Sequence, residues 1–135
     1  MESVDINSRK RDLYERCLKF GKEVRVFVKK LPKNVVNIED GKQLVRSSGS
    51  IGANYIEAWD MISEKDELHR LRVCRKEAKE SRHWLELISC DDLDGDLEKE
   101  CQRLSQEALE LTKILGSIVG KKEKPPSNPD SSTKK

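Results

Sequence analysis

The chain has 135 residues, which is typical of one domain, and 39% of them are charged although the formal net charge is only +2. No apolar run approaches the ~20 residues of a membrane span, and residues 1–5 lack the segments of a signal peptide, so we expect a cytoplasmic protein without membrane contact. With only two Trp, two Tyr and two Phe, the composition favours long amphipathic helices over a β-rich fold.

Apolar residues that recur every three or four positions predict the first two helices. The inner stripe of the first helix is Leu13, Cys17, Phe20, Val24, Phe27 and Leu31. Pro32 ends that helix, and Asn37 is predicted to cap a second helix that runs to about Met61. The inner stripe of the second helix is Leu44, Ser48, Ile51, Tyr55, Ala58 and Ile62.

The same spacing predicts two further helices. Ser63 is the expected N-cap of the third, with Asp66 completing an approximate capping box. Its inner stripe is Leu71, Cys74, Ala78, Ser81, Leu85 and Ile88. After a turn at residues 91–95, the fourth helix is expected to stop at Gly120. Its inner stripe is Leu97, Cys101, Leu104, Ala108, Leu111, Leu115 and Ile118.

These elements predict an all-α fold, an up-down-up-down antiparallel four-helix bundle over residues 1–120. Residues 121–135 contain three prolines and five lysines, so we expect a disordered basic, Pro-rich tail. The four cysteines are widely spaced and form no C-x-x-C pair, so we expect reduced, buried thiols and no zinc site.

A run of small residues interrupts the second helix. Gly49 and Gly52 cost a helix interior roughly 1 kcal/mol each relative to alanine, which predicts close approach of another helix or subunit. Asn54 and Glu57 follow one turn apart and are predicted to be buried polar anchors. A buried carboxylate needs a cation, so we expect Glu57 to pair with a basic residue of the third helix.

Two segments resemble a known family. The pattern S-I-x-x-N-x-x-E at residues 50–57, and residues 75–87 with Glu80 and Trp84, resemble four-helix bundle proteins encoded in large-subunit rRNA intervening sequences, the S23-like family. The accessory protein of diversity-generating retroelements is more distantly similar. The resemblance spans about residues 10–118, and Ala58 stands where many relatives have glycine. It implies a ring-shaped oligomer, possibly a pentamer, and a role with nucleic acid.

Several apolar residues lie off the inner stripes. This second apolar set is Val26, Val28, Val45, Ile56, Trp59, Trp84 and Leu87. An exposed second stripe is usually a contact surface, which predicts a homo-oligomer with Trp59 and Trp84 at the seam. The alternative is that each helix simply buries a wider apolar face.

No constellation of catalytic residues is visible. His69 and His83 lie on one predicted helix about 21 Å apart, so they cannot share a site within one chain. Glu80-x-x-His83 is only half of a di-metal motif, and no phosphate-binding glycine loop occurs. We therefore expect no enzyme activity, metal, cofactor or small-molecule substrate.

Basic residues are concentrated on two helices. The basic ridge of the third helix consists of Arg72, Arg75, Lys76, Lys79 and Arg82, and the basic set of the first consists of Arg16, Lys19, Lys22 and Arg25. Residues 1–90 hold 19 basic against 15 acidic residues, whereas residues 91–120 hold three against eight. Such ridges contact phosphates, which predicts a nucleic-acid-binding accessory protein for RNA, DNA or an RNA–protein complex. The alternative is a structural or protein-interaction module whose charges only solubilise it.

Overall fold

Four helices pack into a bundle in the computed structural model, which describes residues 2–89 and 92–124. They are α1 (Glu2–Lys29), α2 (Val35–Trp59), α3 (Glu64–Ile88) and α4 (Gly95–Glu123). Each helix packs against its neighbours in sequence, and α1 also meets α4, so α1 lies diagonally opposite α3. The connections are short, which makes successive helices antiparallel. The predicted all-α four-helix bundle is confirmed, and the described residues contain no strand.

The N-caps of α2 and α3 test the predicted helix starts. Ser63 caps α3 by accepting a hydrogen bond from the Asp66 amide at 3.0 Å, as predicted. For α2 the prediction is wrong, because Asn34 rather than Asn37 is the cap and accepts from the Asn37 amide at 2.8 Å. The Asn37 side chain instead donates to the Pro32 carbonyl at 3.0 Å. The helix begins earlier because Asn34 has the extended backbone that a cap requires.

The predicted stripes form the core almost throughout. All six stripe residues of α1 and all six of α3 are buried, together with five of the six assigned to the second helix. Ile62 is fully exposed, because α2 ends at Trp59 and Ile62 lies in the connection to α3. At the end of α4, Val119 is buried and Ile118, which was predicted for the stripe, is only half-buried. Val119 lies four residues after Leu115, which keeps it closer than Ile118 to the side of the helix that faces the core.

The end of α4 lies beyond the predicted stop. The helix continues past Gly120 to Glu123, where Arg72 pairs with Glu123 at 2.6 Å and Lys122 with Glu67 at 2.9 Å. These two ion pairs hold residues 121–123 against α3. Residues 125–135 of the predicted tail lie outside the described residues. None of the described helices is long and apolar enough to cross a membrane.

The described cysteines differ in whether they are free or disulfide-bonded. Cys17 and Cys74 are free and buried, and burial raises the pKa of each thiol to about 12, so both are protonated and unreactive at neutral pH. Cys101 is disulfide-bonded, so the expectation of four reduced cysteines is wrong for it. Cys90 lies outside the described residues.

The seam between α1 and α4 is the least extensive of the four helix contacts, and ion pairs cross it. Arg16 donates to both carboxylate oxygens of Glu107 at 2.7 Å and to Glu110 at 3.0 Å. Further along, Arg103 of α4 bridges to Glu23 of α1 at 3.2 Å and also pairs with Glu100. Charged groups on the outside of the seam therefore add to the apolar core that joins these two helices.

We expect this seam to weaken in acid. A hydrogen bond from Arg103 lowers the pKa of Glu100, and hydrogen bonds from Gln106 and Arg16 lower that of Glu110, both below the ordinary value of 4.5. The folded state therefore binds fewer protons than the unfolded state, and its stability is lost as the pH falls below about 4.5. Thermal melts between about pH 7 and pH 3 should show this loss, and Arg16→Met/Arg103→Met should lose less over the same range. Equal losses of stability in the unchanged protein and in this variant would contradict the assignment of the acid sensitivity to these ion pairs.

Candidate nucleic-acid interface

The basic ridge of α3 is divided by ion pairs. At its ends, Arg72 donates to Glu123 at 2.6 Å and Arg82 Nε lies 2.9 Å from Glu86 Oε1, although the angle there does not make a hydrogen bond. Between them, Arg75, Lys76 and Lys79 make no ion pair with any described residue. Lys76 and Lys79 are exposed and three residues apart, whereas Arg75 is half-buried. The ridge thus reduces to a cluster of three cations, which we call the α3 cluster.

The basic set of α1 is reduced in the same way. Arg16 is held by Glu107 and Glu110 across the α4 seam, and Glu107 raises the pKa of Arg16. Arg25 donates to the Gly21 carbonyl at 2.9 Å. Only Lys19 and Lys22 of the predicted set are exposed and without a bond to the described part of the chain. Because α1 and α3 lie on a diagonal, these two lysines face away from the α3 cluster.

The small-residue segment of α2 packs against α1. A Cβ added at Gly52 would lie 3.5 Å from Cys17 Cβ and 3.6 Å from Tyr14 Cε1, and one at Gly49 would lie 3.0 Å from Arg25 Nη2. The partner that approaches these glycines in the described chain is therefore a helix of the same protein. The Gly52 contacts are ordinary van der Waals distances, which leave room for one methyl group.

Replacing Gly52 with alanine should therefore stabilise the protein. The methyl group fits between Tyr14 and Cys17, and alanine restricts the unfolded chain, which together give about 0.4–1 kcal/mol. Thermal melts measure the effect, with Gly120→Ala as a control because nothing lies within 4 Å of a Cβ there. A lower melting temperature for Gly52→Ala alone would mean that the α1–α2 contact is tighter than this geometry.

Asn54 and Glu57 do not form the expected buried pair. The Asn54 amide donates to the Ser50 carbonyl at 2.9 Å, and its oxygen accepts from Arg70 of α3 at 2.9 Å. Glu57 is exposed and makes no ion pair with the described residues, so its predicted burial beside Arg75, Lys79 or Arg82 is wrong. The step of three from Asn54 turns Glu57 away from α3 to the outer side of α2.

The two tryptophans contact aromatic residues of their own chain. Trp59 packs edge-to-face on Tyr14 and Tyr55, with ring centroids 5.8 and 5.7 Å apart, and Trp84 packs against His83 at 5.0 Å. Of the second apolar set, Val28, Val45 and Trp84 pack against the core. The exposed members of the set are Val26, Ile56, Trp59 and Leu87, so only these four are available to a partner.

Sequence reasoning missed a polar network between α2 and α3. The Ser47 and Ser81 hydroxyls are 2.9 Å apart in the core, and both residues are fully buried. Beside them, Glu77 is 8% exposed and accepts from Arg46 at 3.3 Å, while Glu80 lies 3.9 Å from the same guanidinium. The signal in the sequence was Ser81 on the predicted inner stripe of α3, whereas Ser47 lies next to the predicted stripe of α2.

The residues considered for metal chemistry are otherwise engaged. Glu80 faces Arg46, and His83 contacts Trp84. In residues 2–89 and 92–124, no three His, Cys, Asp or Glu side chains come together as a ligand set. The half motif Glu80-x-x-His83 therefore belongs to a salt-bridged face.

Comparisons with known proteins agree on one family. The family model described as 23S rRNA-intervening sequence protein matches residues 9–117. A crystal structure from Bacteroides thetaiotaomicron, described as a protein with unknown function from the S23 ribosomal protein family, is similar with a TM-score of 0.70. The two sequences are 28% identical, and the match covers 82% of this chain and 97% of that chain. No curated protein matches the sequence.

Proposed function

Because this chain belongs to the 23S rRNA-intervening sequence protein family, we propose that it is a non-enzymatic, oligomeric bundle that binds structured RNA. It would act in the cytoplasm as an accessory to an RNA or an RNA–protein complex. The observation that carries the proposal is the α3 cluster, where Arg75, Lys76 and Lys79 lie together on one helix without ion pairs to the described residues. Cations that are not neutralised within the protein are available to phosphates.

The geometry favours contact with the phosphate backbone over reading of bases. Lys76 and Lys79 span less than one helical turn, about 4.5 Å along the axis, so one subunit meets only a few phosphates. The cluster projects no aromatic side chain on which an unpaired base could stack, since Trp84 is half-buried against the core. Binding should therefore be weak for one subunit and show little sequence preference, and several linked subunits would strengthen it.

Retardation of RNA and DNA duplexes at two salt concentrations tests this function. Phosphate contacts release counterions, so the affinity must fall steeply between about 50 and 200 mM salt. Two duplexes of different sequence and equal length should be retarded alike. The absence of retardation of any duplex at low salt would overturn the proposal in favour of a protein-interaction module.

The protein should also self-associate. Ile56 and Leu87 are 41% and 51% exposed, which leaves apolar surface for a neighbouring subunit. Light scattering at tens of micromolar should return a multiple of 15.5 kDa, and a monomer mass would contradict this. Leu87→Glu and Ile56→Glu are better probes of the seam than Trp59→Ala, which also removes contacts with Tyr14 and Tyr55.

A further inference from the structure

A groove runs along the outer side of the α1–α2 pair. Two successive cavities form it, of about 520 Å³ near the connection of the two helices and about 290 Å³ over the glycines. The apolar residues that line it are Leu18, Val28, Leu31, Pro32, Ile38, Val45 and Ala53. From Ile38 to Ala53 the groove follows four turns of α2, about 22 Å. We call this feature the α1–α2 groove.

The edges of the groove are basic. Lys22 and Arg25 line one cavity, and Lys29, Lys33 and Lys42 line the other. Lys42 pairs with Glu39 at 3.6 Å, whereas Lys22, Lys29 and Lys33 make no bond to the described residues. None of the described residues that line either cavity is aspartate or glutamate. The groove therefore combines an apolar floor with a positive rim in which Lys22, Lys29 and Lys33 are unpaired with the described residues.

Apolar side chains also remain exposed beside the groove. Val35 and Val36 at the start of α2 are 78% and 61% exposed, and Ile38 and Leu18 in the groove are 47% and 42% exposed. Ala53 is exposed on the floor, whereas Gly49 and Gly52 are already covered by Arg25 and Tyr14 of α1. Clustered exposed apolar residues of this kind mark interaction sites.

We propose that the α1–α2 groove binds an acidic amphipathic helix of a partner protein. The helix would lay its apolar side on the floor and place its carboxylates against Lys22, Lys29 and Lys33. A nucleic-acid backbone would use the lysines but has no apolar side to cover Leu18 and Ile38. A second copy of this chain is a poorer fit, because carboxylates of its acidic helix α4 are paired within the chain, Glu107 and Glu110 with Arg16 and Glu100 with Arg103.

The proposal is independent of RNA binding by the α3 cluster, since Lys22 and Lys29 of the groove lie on α1, diagonally opposite α3. The probe is a synthetic helical peptide of about 18 residues, with leucines on one side and glutamates and alanines elsewhere, long enough to fill the groove. Two control peptides carry lysine for every glutamate, or serine for every leucine. Fluorescence anisotropy of the full-length protein should show at least about tenfold tighter binding of the acidic amphipathic peptide than of either control.

Variants locate the site. Lys22→Glu/Lys29→Glu should weaken binding of the acidic peptide at least about tenfold, and Ala53→Phe should weaken it by filling the exposed floor. Lys76→Glu/Lys79→Glu on α3 is the matched charge reversal and should leave peptide binding unchanged. Melting curves establish that each variant is folded.

Four results would overturn the proposal. The first is equal binding of the three peptides or no binding of the acidic one, and the second is unchanged binding by both groove variants. The third is that an RNA duplex displaces the peptide and that Lys22→Glu/Lys29→Glu abolishes retardation of the same duplex. That result would make the groove a nucleic-acid site. The fourth is a fall in particle mass for Lys22→Glu/Lys29→Glu, which would show that a second copy occupies the groove. Loss of RNA binding alone would leave the proposal intact.

Discussion

Lys76→Glu/Lys79→Glu should lose RNA binding at physiological salt while the protein remains folded. Each lysine that contacts a phosphate contributes about one unit to the slope of log affinity against log salt, so the slope should fall by about two. Reversed charges also repel the remaining phosphates. Both side chains are exposed and unpaired with the described residues, so stability should change by less than about 0.5 kcal/mol.

The matched control is Lys19→Glu/Lys22→Glu on the diagonally opposite helix. Those lysines are equally exposed, so the control changes the net charge by the same amount at a different place. Titrations at three or more salt concentrations give the slope for each variant. Equal losses for both pairs would mean that net charge, rather than the α3 cluster, determines binding, and a loss confined to the control would move the interface to α1.

Ser81→Leu should destabilise the bundle by about 1–3 kcal/mol or more. Ser81 is fully buried and its hydroxyl meets that of Ser47 at 2.9 Å, so a leucine there would have to displace its neighbours. Ser81→Ala should change the unfolding free energy by less than about 1 kcal/mol, because the Ser47 hydroxyl keeps the Leu44 carbonyl as an acceptor at 3.3 Å. Denaturant unfolding compares the three proteins. A mild effect of leucine would show that α2 and α3 can separate at this point without cost.

The helices and their inner stripes could be predicted because their signal is local and periodic. A step of three or four residues identifies the core positions of α1 and α3 completely, and Ser63 with Asp66 marks a helix start within four residues. At the start of α2 the pattern alone selected the wrong residue. Asn34 and Asn37 are both good caps, and only the backbone of Asn34 selects between them.

The sequence spacing could not predict which charged residues form ion pairs and which are buried. Arg16 meets Glu107 across 91 positions of sequence, and Arg72 meets Glu123 across 51. These partners depend on which helices become neighbours and in which register, so the basic ridge looks continuous in sequence and is divided in the structure. For the same reason Glu57 looked like a buried anchor, whereas Glu77 is the carboxylate that lies buried between α2 and α3.

The limited seam between α1 and α4 has a consequence for how the bundle opens. Since α1 approaches α4 over only a short stretch and meets α2 over small residues, its detachment breaks fewer close helix–helix contacts than that of α2, α3 or α4. The helix that leaves carries its own stripe and vacates a complementary cleft between α2 and α4. Two copies open in this way could exchange their α1 helices and rebuild the native contacts, so domain swapping would require no interface that the monomer does not already contain.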